Sequence, residues 1–218
     1  MRTTTRALMF GLYEQFQKTL HCPHTGTFTF CHAQAAMCAG FVEASMCPLE
    51  RVQVLLQTTA HHEKFRNSAE VVKQLRSHGV HEFYRGLSVI LVRNGLSNLL
   101  FFGFREPLNR KLVEVTHRND ISNRFTGIVC DFVCGSLLGA SISTLFYPAA
   151  VVKNHMQSKI GGPFENPFRV LKYLLVGRDR SALAIYSGVY LNFTRSMVAW
   201  GITNTIYEML HRFASRYA

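Results

Sequence analysis

The sequence predicts an all-α membrane protein, and three observations lead to that prediction. Of its 218 residues, 48% are hydrophobic and only 17% are charged. Four stretches of mostly apolar or small residues each approach the roughly 20 residues that a helix needs to cross the hydrocarbon core of a bilayer. Two parts of the chain also repeat the same pattern of Pro, Gly, Arg and Glu about 100 residues apart. Such a fixed period indicates a fold built from copies of one unit.

The four apolar stretches cover residues 28–48, 87–104, 128–148 and 189–207, and none of them is uniformly apolar. A charge at membrane depth costs about 2.5–3.5 kcal/mol, so such residues normally face a bundle interior or a water-filled cavity. We therefore expect amphipathic spans that line a polar path. The polar residues of the four stretches are His32, Gln34 and Glu43; Arg93, Asn94 and Asn98; Asp131; and Asn192, Arg195 and Asn204.

The formal net charge of +11 leaves three classes open: a nucleic-acid binder, a membrane-surface protein and an integral membrane protein. The basic residues are spread over loops at the repeat spacing instead of forming one patch, which disfavours a nucleic-acid partner. A soluble helical core with buried polar pairs stays open as an alternative, because the mean hydropathy is only +0.07.

The sequence contains no motif that indicates an enzyme, a resident cofactor or a metal site. It lacks the glycine-rich phosphate loops, the H-E-x-x-H zinc motif and the nucleophile elbow. Its six cysteines show no C-x-x-C spacing, and we expect small buried thiols in a reducing setting. We therefore predict no catalytic residue, no metal ligand and no cofactor. The cysteines are Cys22, Cys31, Cys38, Cys47, Cys130 and Cys134.

The internal repeat is anchored on Pro48 and Pro148, which stand 100 positions apart. Each proline is followed nine residues later by a glutamine, Gln57 or Gln157. Small residues suited to close helix packing stand eight and nine positions before each proline. These small residues are Ala39, Gly40, Gly139 and Ala140.

The second half of each repeat opens with an aromatic-x-Gly sequence, at residues 84–86 and 186–188. An Arg follows each Gly by seven positions, a Glu follows that Arg by thirteen, and a second Arg follows the Glu by four. The N-terminus carries the end of a third copy, with an acid and a base at the same spacing. The resulting sets are Arg93, Glu106 and Arg110; Arg195, Glu208 and Arg212; and Glu14 with Lys18.

These repeats resemble those of the mitochondrial carrier family. The family signature after the proline is P-x-[DE]-x-x-[KR]; Pro48, Glu50 and Lys153 follow it, whereas Gln53 and Ala150 depart from it. Among carriers, the phrases "PLERVQVLLQ", "YRGLSVILVRNGLSNLLFFGFRE", "DFVCGSLLGA" and "QSKIGGPF" are most similar to the mitochondrial NAD transporter subgroup.

The resemblance implies a pseudo-threefold helical bundle whose first repeat is incomplete, in a multi-pass protein of the mitochondrial inner membrane. Residues 1–22 correspond to the second half of repeat 1, residues 23–118 to repeat 2 and residues 119–218 to repeat 3. The implied function is alternating-access movement of NAD, or a closely related nucleotide cofactor, into the matrix by a monomer that contacts anionic lipid such as cardiolipin. The alternative is a non-transporting truncated fragment or isoform of such a carrier.

The resemblance also assigns candidate site residues. Glu50 and Lys153 would form a matrix gate braced by Gln57 and Gln157. The acids followed by bases at i, i+4 would form a cytoplasmic gate, although this spacing equally fits ordinary helix-surface pairs. The substrate would meet the residues that follow the aromatic-x-Gly sequences, together with an acid before Pro48. The candidate substrate residues are Arg93, Asn94, Arg195, Ser196 and Glu43, and the candidate cytoplasmic gate residues are Glu14, Lys18, Glu106, Arg110, Glu208 and Arg212.

Overall fold

The computed structural model describes residues 2–23, 28–58, 65, 67–117, 124–177 and 185–217. Within these residues every regular element is a helix, which confirms the predicted all-α fold. Besides a short 3-10 helix at Val80–Tyr84, the helices are α1 (Arg2–Thr19), α2 (Phe30–Ala44), α3 (Cys47–Gln57), α4 (Ser68–Ser77), α5 (Leu87–His117), α6 (Arg124–Leu145), α7 (Tyr147–Ser158), α8 (Pro167–Gly177) and α9 (Val189–Tyr217).

The two repeated prolines separate consecutive helices. Pro48 and Pro148 each stand in the first turn of a helix, directly after the break that ends the preceding one. A proline has no N–H to donate, and the first turn is the part of a helix where no such donor is needed. The structure shows a short break between two helices at both points.

Two segments among the described residues have the length and apolar composition to cross a membrane, Val80–Val115 and Gly127–Leu145. They contain most of the predicted stretches 87–104 and 128–148. The predicted stretch 28–48 is divided between α2 and α3, because α2 ends at Ala44 and α3 begins at Cys47. The structure therefore gives two candidate spans in its described part, where the sequence predicted four.

The chain forms two compact units, and both α2 and α5 contribute to each of them. The first unit contains Phe41–Asn94 and Phe146–Ser187, and the second contains Arg2–Gly40, Gly95–Leu145 and Gly188–Ala218. In the first unit, α3 and α4 enclose one cluster of buried apolar side chains and α7 and α8 enclose another. These core residues are Leu55, Phe65, Val71 and Leu75, and Val152, Met156 and Val170.

In the second unit, α6 and α9 pack closely through glycines. A Cβ atom added at Gly139 would lie 2.1 Å from Cγ of Trp200, and one added at Gly201 would lie 2.3 Å from Oγ of Ser136. Only hydrogen fits at such positions, so small residues allow the two helix backbones to approach. An aromatic cluster extends this core, with the rings of Phe10 and Tyr207 stacked 4.3 Å apart.

The cysteine prediction was wrong for one pair. Cys22 and Cys31 form a disulfide that joins the end of α1 to the start of α2, with their Cα atoms 5.6 Å apart. That separation lies within the range that a disulfide spans without backbone strain. Sequence spacing alone does not show that two cysteines meet in space. In the described residues, Cys38, Cys47, Cys130 and Cys134 take no part in a disulfide, and the last three are buried.

The close packing of α6 and α9 through glycines generates a prediction about stability. We expect Gly139→Ala to lower the free energy of unfolding by about 1–2 kcal/mol, because the added methyl group overpacks the contact with Trp200. The matched control is Gly11→Ala in α1, where an added Cβ meets no atom within 4 Å. That variant should keep or raise stability by up to about 1 kcal/mol, since Ala favours a helix over Gly. Thermal unfolding in detergent measures both; equal effects would contradict the packing argument.

Candidate functional site

The predicted matrix-gate pair lies in the first unit. Nζ of Lys153 on α7 is 2.9 Å from Oε2 of Glu50 on α3. The lysine side chain is 10% exposed and the glutamate side chain 27%. This contact links equivalent helices of the two repeats, and its role as a gate stays a prediction.

The two predicted bracing glutamines differ in their surroundings. Gln157 is fully buried, and its Nε2 donates to Sγ of Cys47 at 3.7 Å. Its Oε1 is buried and has no hydrogen-bond partner among the described residues. Gln57 is exposed at the end of α3. Only Gln157 therefore lies inside the first unit beside the residues of the predicted gate.

A buried cluster of three charges in the first unit was missed by the sequence analysis. Glu82 lies between two arginines, with one carboxylate oxygen 2.5 Å from Arg51 and the other 3.0 Å from Arg85. The three side chains are at most 5% exposed. Because a buried carboxylate and a buried guanidinium each need a partner, the three groups stabilise one another. In the sequence, the aromatic-Arg-Gly motif at residues 84–86 was the one sign of this cluster.

The same two arginines hold the loop that follows α7. Arg51 donates to the backbone oxygen of Lys159 at 2.8 Å, and Arg85 donates to that of Gly162 at 2.6 Å. Gly162 has a φ of 79°, a conformation that favours glycine. Lys159 donates to Glu165 at 2.7 Å, and this hydrogen bond holds the pKa of the carboxyl below its usual range. The "QSKIGGPF" phrase thus contains the end of α7 and the loop after it, in which two backbone carbonyls accept from buried arginines.

A second charged cluster, centred on Arg105 of α5, lies in the second unit. Its guanidinium forms a salt bridge with Glu208 of α9 and donates to Oδ1 of Asn204 at 3.1 Å. The same group lies 4.7 Å from the ring centre of Tyr207 and 5.4 Å from that of Phe10. Arg105 was not among the predicted site residues, because it does not recur at the repeat spacing, whereas the acid that follows it does.

The predicted i, i+4 pairs of the cytoplasmic gate are only partly present. Arg110 contacts Glu106 at 3.2 Å, but both side chains are more than 60% exposed. Glu14 instead accepts a hydrogen bond from the hydroxyl of Tyr207. For Lys18, no ion pair is found within the described residues. The salt bridge of Glu208 goes to Arg105, and the side chain of its predicted partner, Arg212, lies outside the described part of the chain.

These groups surround a pocket of about 910 Å³ in the second unit, hereafter the polar pocket. Its wall combines aromatic rings with charges of both signs, contributed by α1, α2, α5 and α9. The residues that line it include Tyr13, Glu14, Lys18, Phe28, His32, Phe102, Arg105, Glu106, Arg110, Lys111, Tyr207 and Glu208.

The predicted substrate residues belong to both units. In the first unit, Arg93 and Glu43 are half-buried, and Nε of Arg93 is buried without a hydrogen-bond partner among the described residues. Asn94 beside it is buried. In the second unit, Arg195 is exposed, whereas Ser196 is buried and shares a 2.8 Å hydrogen bond with Ser143. Their role in substrate binding stays a prediction. Among the described residues, no group of His, Cys, Asp or Glu is arranged to hold a metal ion.

Comparison with known proteins agrees with the repeated helical architecture. Residues 27–116 and 126–218 match the family described as "Mitochondrial carrier protein". The chain is 46% identical over 210 residues to the "Mitochondrial nicotinamide adenine dinucleotide transporter SLC25A51" of Homo sapiens, covering 96% of this chain and 68% of that protein. It is 44% identical to the human transporter of the same description, SLC25A52, covering 97% and 69%. Human "Solute carrier family 25 member 53" is 31% identical, covering 97% and 68%.

The chain belongs to the mitochondrial carrier family, as its repeats indicated. The relatives with the highest identities given above are named as transporters, not as enzymes, which confirms that the chain is not an enzyme. The same identities confirm that the sequence of this chain resembles the NAD transporter subgroup.

The buried charge cluster generates a second prediction. We expect Glu82→Gln to lower the free energy of unfolding by about 3–5 kcal/mol, because it leaves two buried arginines without a carboxylate. The matched control is Glu106→Gln, which removes an exposed pair worth at most about 1 kcal/mol. Denaturant or thermal unfolding in detergent compares the two variants. A small effect of Glu82→Gln would show that the cluster does not hold the first unit together.

Proposed function

We propose that this chain transports NAD, or a closely related nucleotide cofactor, across the mitochondrial inner membrane into the matrix by alternating access. The observation that carries this proposal is the 44–46% identity, over at least 96% of the chain, to proteins named as mitochondrial NAD transporters. No resident cofactor takes part, since NAD is the transported substrate.

The candidate substrate residues have the chemistry that a dinucleotide requires. Guanidinium groups pair with two phosphate oxygens at once and stack on flat rings, which suits Arg93 and Arg195 to a pyrophosphate and a base. The buried Nε of Arg93, which has no hydrogen-bond partner among the described residues, supports a role in binding a ligand. Glu43 offers an acceptor for ribose hydroxyls, and Asn94 and Ser196 offer further polar groups.

Two gates would close the ends of the substrate path in turn. On the matrix side, Glu50 and Lys153 form one ion pair, with the buried Gln157 beside it as a candidate brace, whereas the other candidate, Gln57, is exposed. A single partly hydrated pair is worth little, so this gate opens easily. On the cytoplasmic side, the candidate gate consists of the three repeated acids with their contacts and the basic residues that follow them. These residues are Glu14, Lys18, Glu106, Arg110, Glu208 and Arg212, and we add Tyr207 and Arg105 because they contact Glu14 and Glu208.

Family membership supports the remaining features of the proposal. Residues 1–22 correspond to the second half of carrier repeat 1, residues 23–118 to repeat 2 and residues 119–218 to repeat 3. The protein is a multi-pass monomer, and its net charge of +11 favours contact with anionic lipid such as cardiolipin.

Uptake of labelled NAD into liposomes reconstituted with this chain tests the proposal. We expect saturable uptake that falls by about a hundredfold or more in an Arg93→Ala, Arg195→Ala double variant, because each lost charge-assisted contact costs about 1.5–3 kcal/mol.

The control for that experiment is Arg169→Ala, which removes an exposed arginine of α8. This variant should transport as the unaltered chain does. Uptake that the double variant retains would rule out the two arginines as substrate contacts. Absence of uptake by the unaltered chain would show that it does not transport NAD.

A further inference from the structure

Arg105 occupies a position where the other two copies of the repeat carry tyrosine. When the repeats are aligned on Glu14, Glu106 and Glu208, the preceding residues are Tyr13, Arg105 and Tyr207. The second copy therefore places a cation where its counterparts place a phenol ring. Arg105 therefore adds a positive charge to the wall of the polar pocket.

The contacts of Arg105 hold this charge in a defined position. Its guanidinium does not pair with Glu106, which follows it on α5 and contacts Arg110 instead. It reaches Glu208 through a single nitrogen–oxygen contact and lies over the ring of Tyr207. A phosphate group accepts two parallel hydrogen bonds from one guanidinium, so it can compete with a carboxylate that accepts only one.

The charges around the polar pocket favour an anionic ligand. Four cations line it, Lys18, Arg105, Arg110 and Lys111, against three acids. Glu106 contacts Arg110, and Glu14 accepts from Tyr207. In the described residues, neither lysine belongs to an ion pair, and both are exposed.

The size and apolar part of the pocket suit a ligand that carries rings as well as phosphate. The rings of Tyr13 and Phe102 are stacked with their centres 3.6 Å apart, and both line the wall. The volume of about 910 Å³ lies within the roughly 300–1,000 Å³ that is usual for small-molecule sites. Aromatic rings beside guanidinium groups are the surroundings that nucleotides occupy.

We propose that the polar pocket is a second binding site for a nucleotide, separate from the predicted contacts at Arg93 and Arg195, in which the ligand phosphate replaces Glu208 as the partner of Arg105. The choice of a nucleotide rests on the proposed function. Glu208 holds the guanidinium in place while the pocket is empty and competes with the ligand when it binds. Binding at this site therefore separates Arg105 from Glu208.

This competition predicts opposite effects for the two halves of one salt bridge. Glu208→Gln removes the competing charge and should tighten ligand binding by about two- to fivefold, since a partly exposed ion pair of this kind is worth at most about 1 kcal/mol. Arg105→Gln removes the phosphate contact and should weaken binding by about tenfold or more. A pair that only stabilises the fold would make both variants bind more weakly.

The test measures equilibrium binding of labelled NAD and of inorganic pyrophosphate to the full chain in detergent. All variants are made in the Arg93→Ala, Arg195→Ala background, so that the predicted substrate contacts do not contribute. Arg169→Gln serves as the matched control and should leave both affinities unchanged. Arg105→Lys keeps the charge but not the paired donors, and it should bind with intermediate affinity.

The outcomes separate this inference from the proposed function. Weaker binding in both Glu208→Gln and Arg105→Gln, or no binding of either probe in the background chain, overturns the second site and leaves NAD uptake by the unaltered chain as the test of transport. Opposite effects on pyrophosphate binding support the site even if the unaltered chain does not transport NAD. Should Arg105→Gln not fold, as judged by thermal unfolding, the sign of the Glu208→Gln effect and the Arg105→Lys affinity decide the question.

Discussion

The requirement that a buried or partly buried charge find a partner of opposite sign shapes both units of this protein. In the first unit, Glu82 pairs with both Arg51 and Arg85, which in turn hold the backbone of the loop after α7. In the second, Glu208 neutralises Arg105 between α5 and α9. Removing charges from water is expensive, so each helix that carries one is positioned by the helix that carries its partner.

Different degrees of burial divide these ion pairs into permanent and exchangeable contacts. The carboxylate of Glu82 is 5% exposed and that of Glu50 is 27% exposed. Water can replace the partner of a partly hydrated carboxylate, whereas a fully enclosed one loses all compensation when its partner leaves. The Glu82 cluster is therefore suited to hold a fixed shape. The contact of Glu50 with Lys153 costs less to break.

The sequence predicted those features that recur at the repeat spacing and left out those that break it. The family signature paired Glu50 with Lys153, because both belong to the repeated pattern, and the structure shows that contact. Arg105 was overlooked because it is the exception among three equivalent positions. Arg51 and Glu82 are 31 residues apart, and only the folded chain brings them together. The disulfide was missed for the same reason, since its two cysteines meet only where α1 and α2 adjoin.

The close contact between α6 and α9 has a spectroscopic consequence. Trp200, which blocks any side chain at position 139, is the one tryptophan in the chain. Its ring centre lies 4.7 Å from that of Phe101, inside the aromatic core of the second unit. Emission excited at long ultraviolet wavelengths therefore comes from a single known place. A change in its colour or lifetime reports movement of that seam without any attached dye.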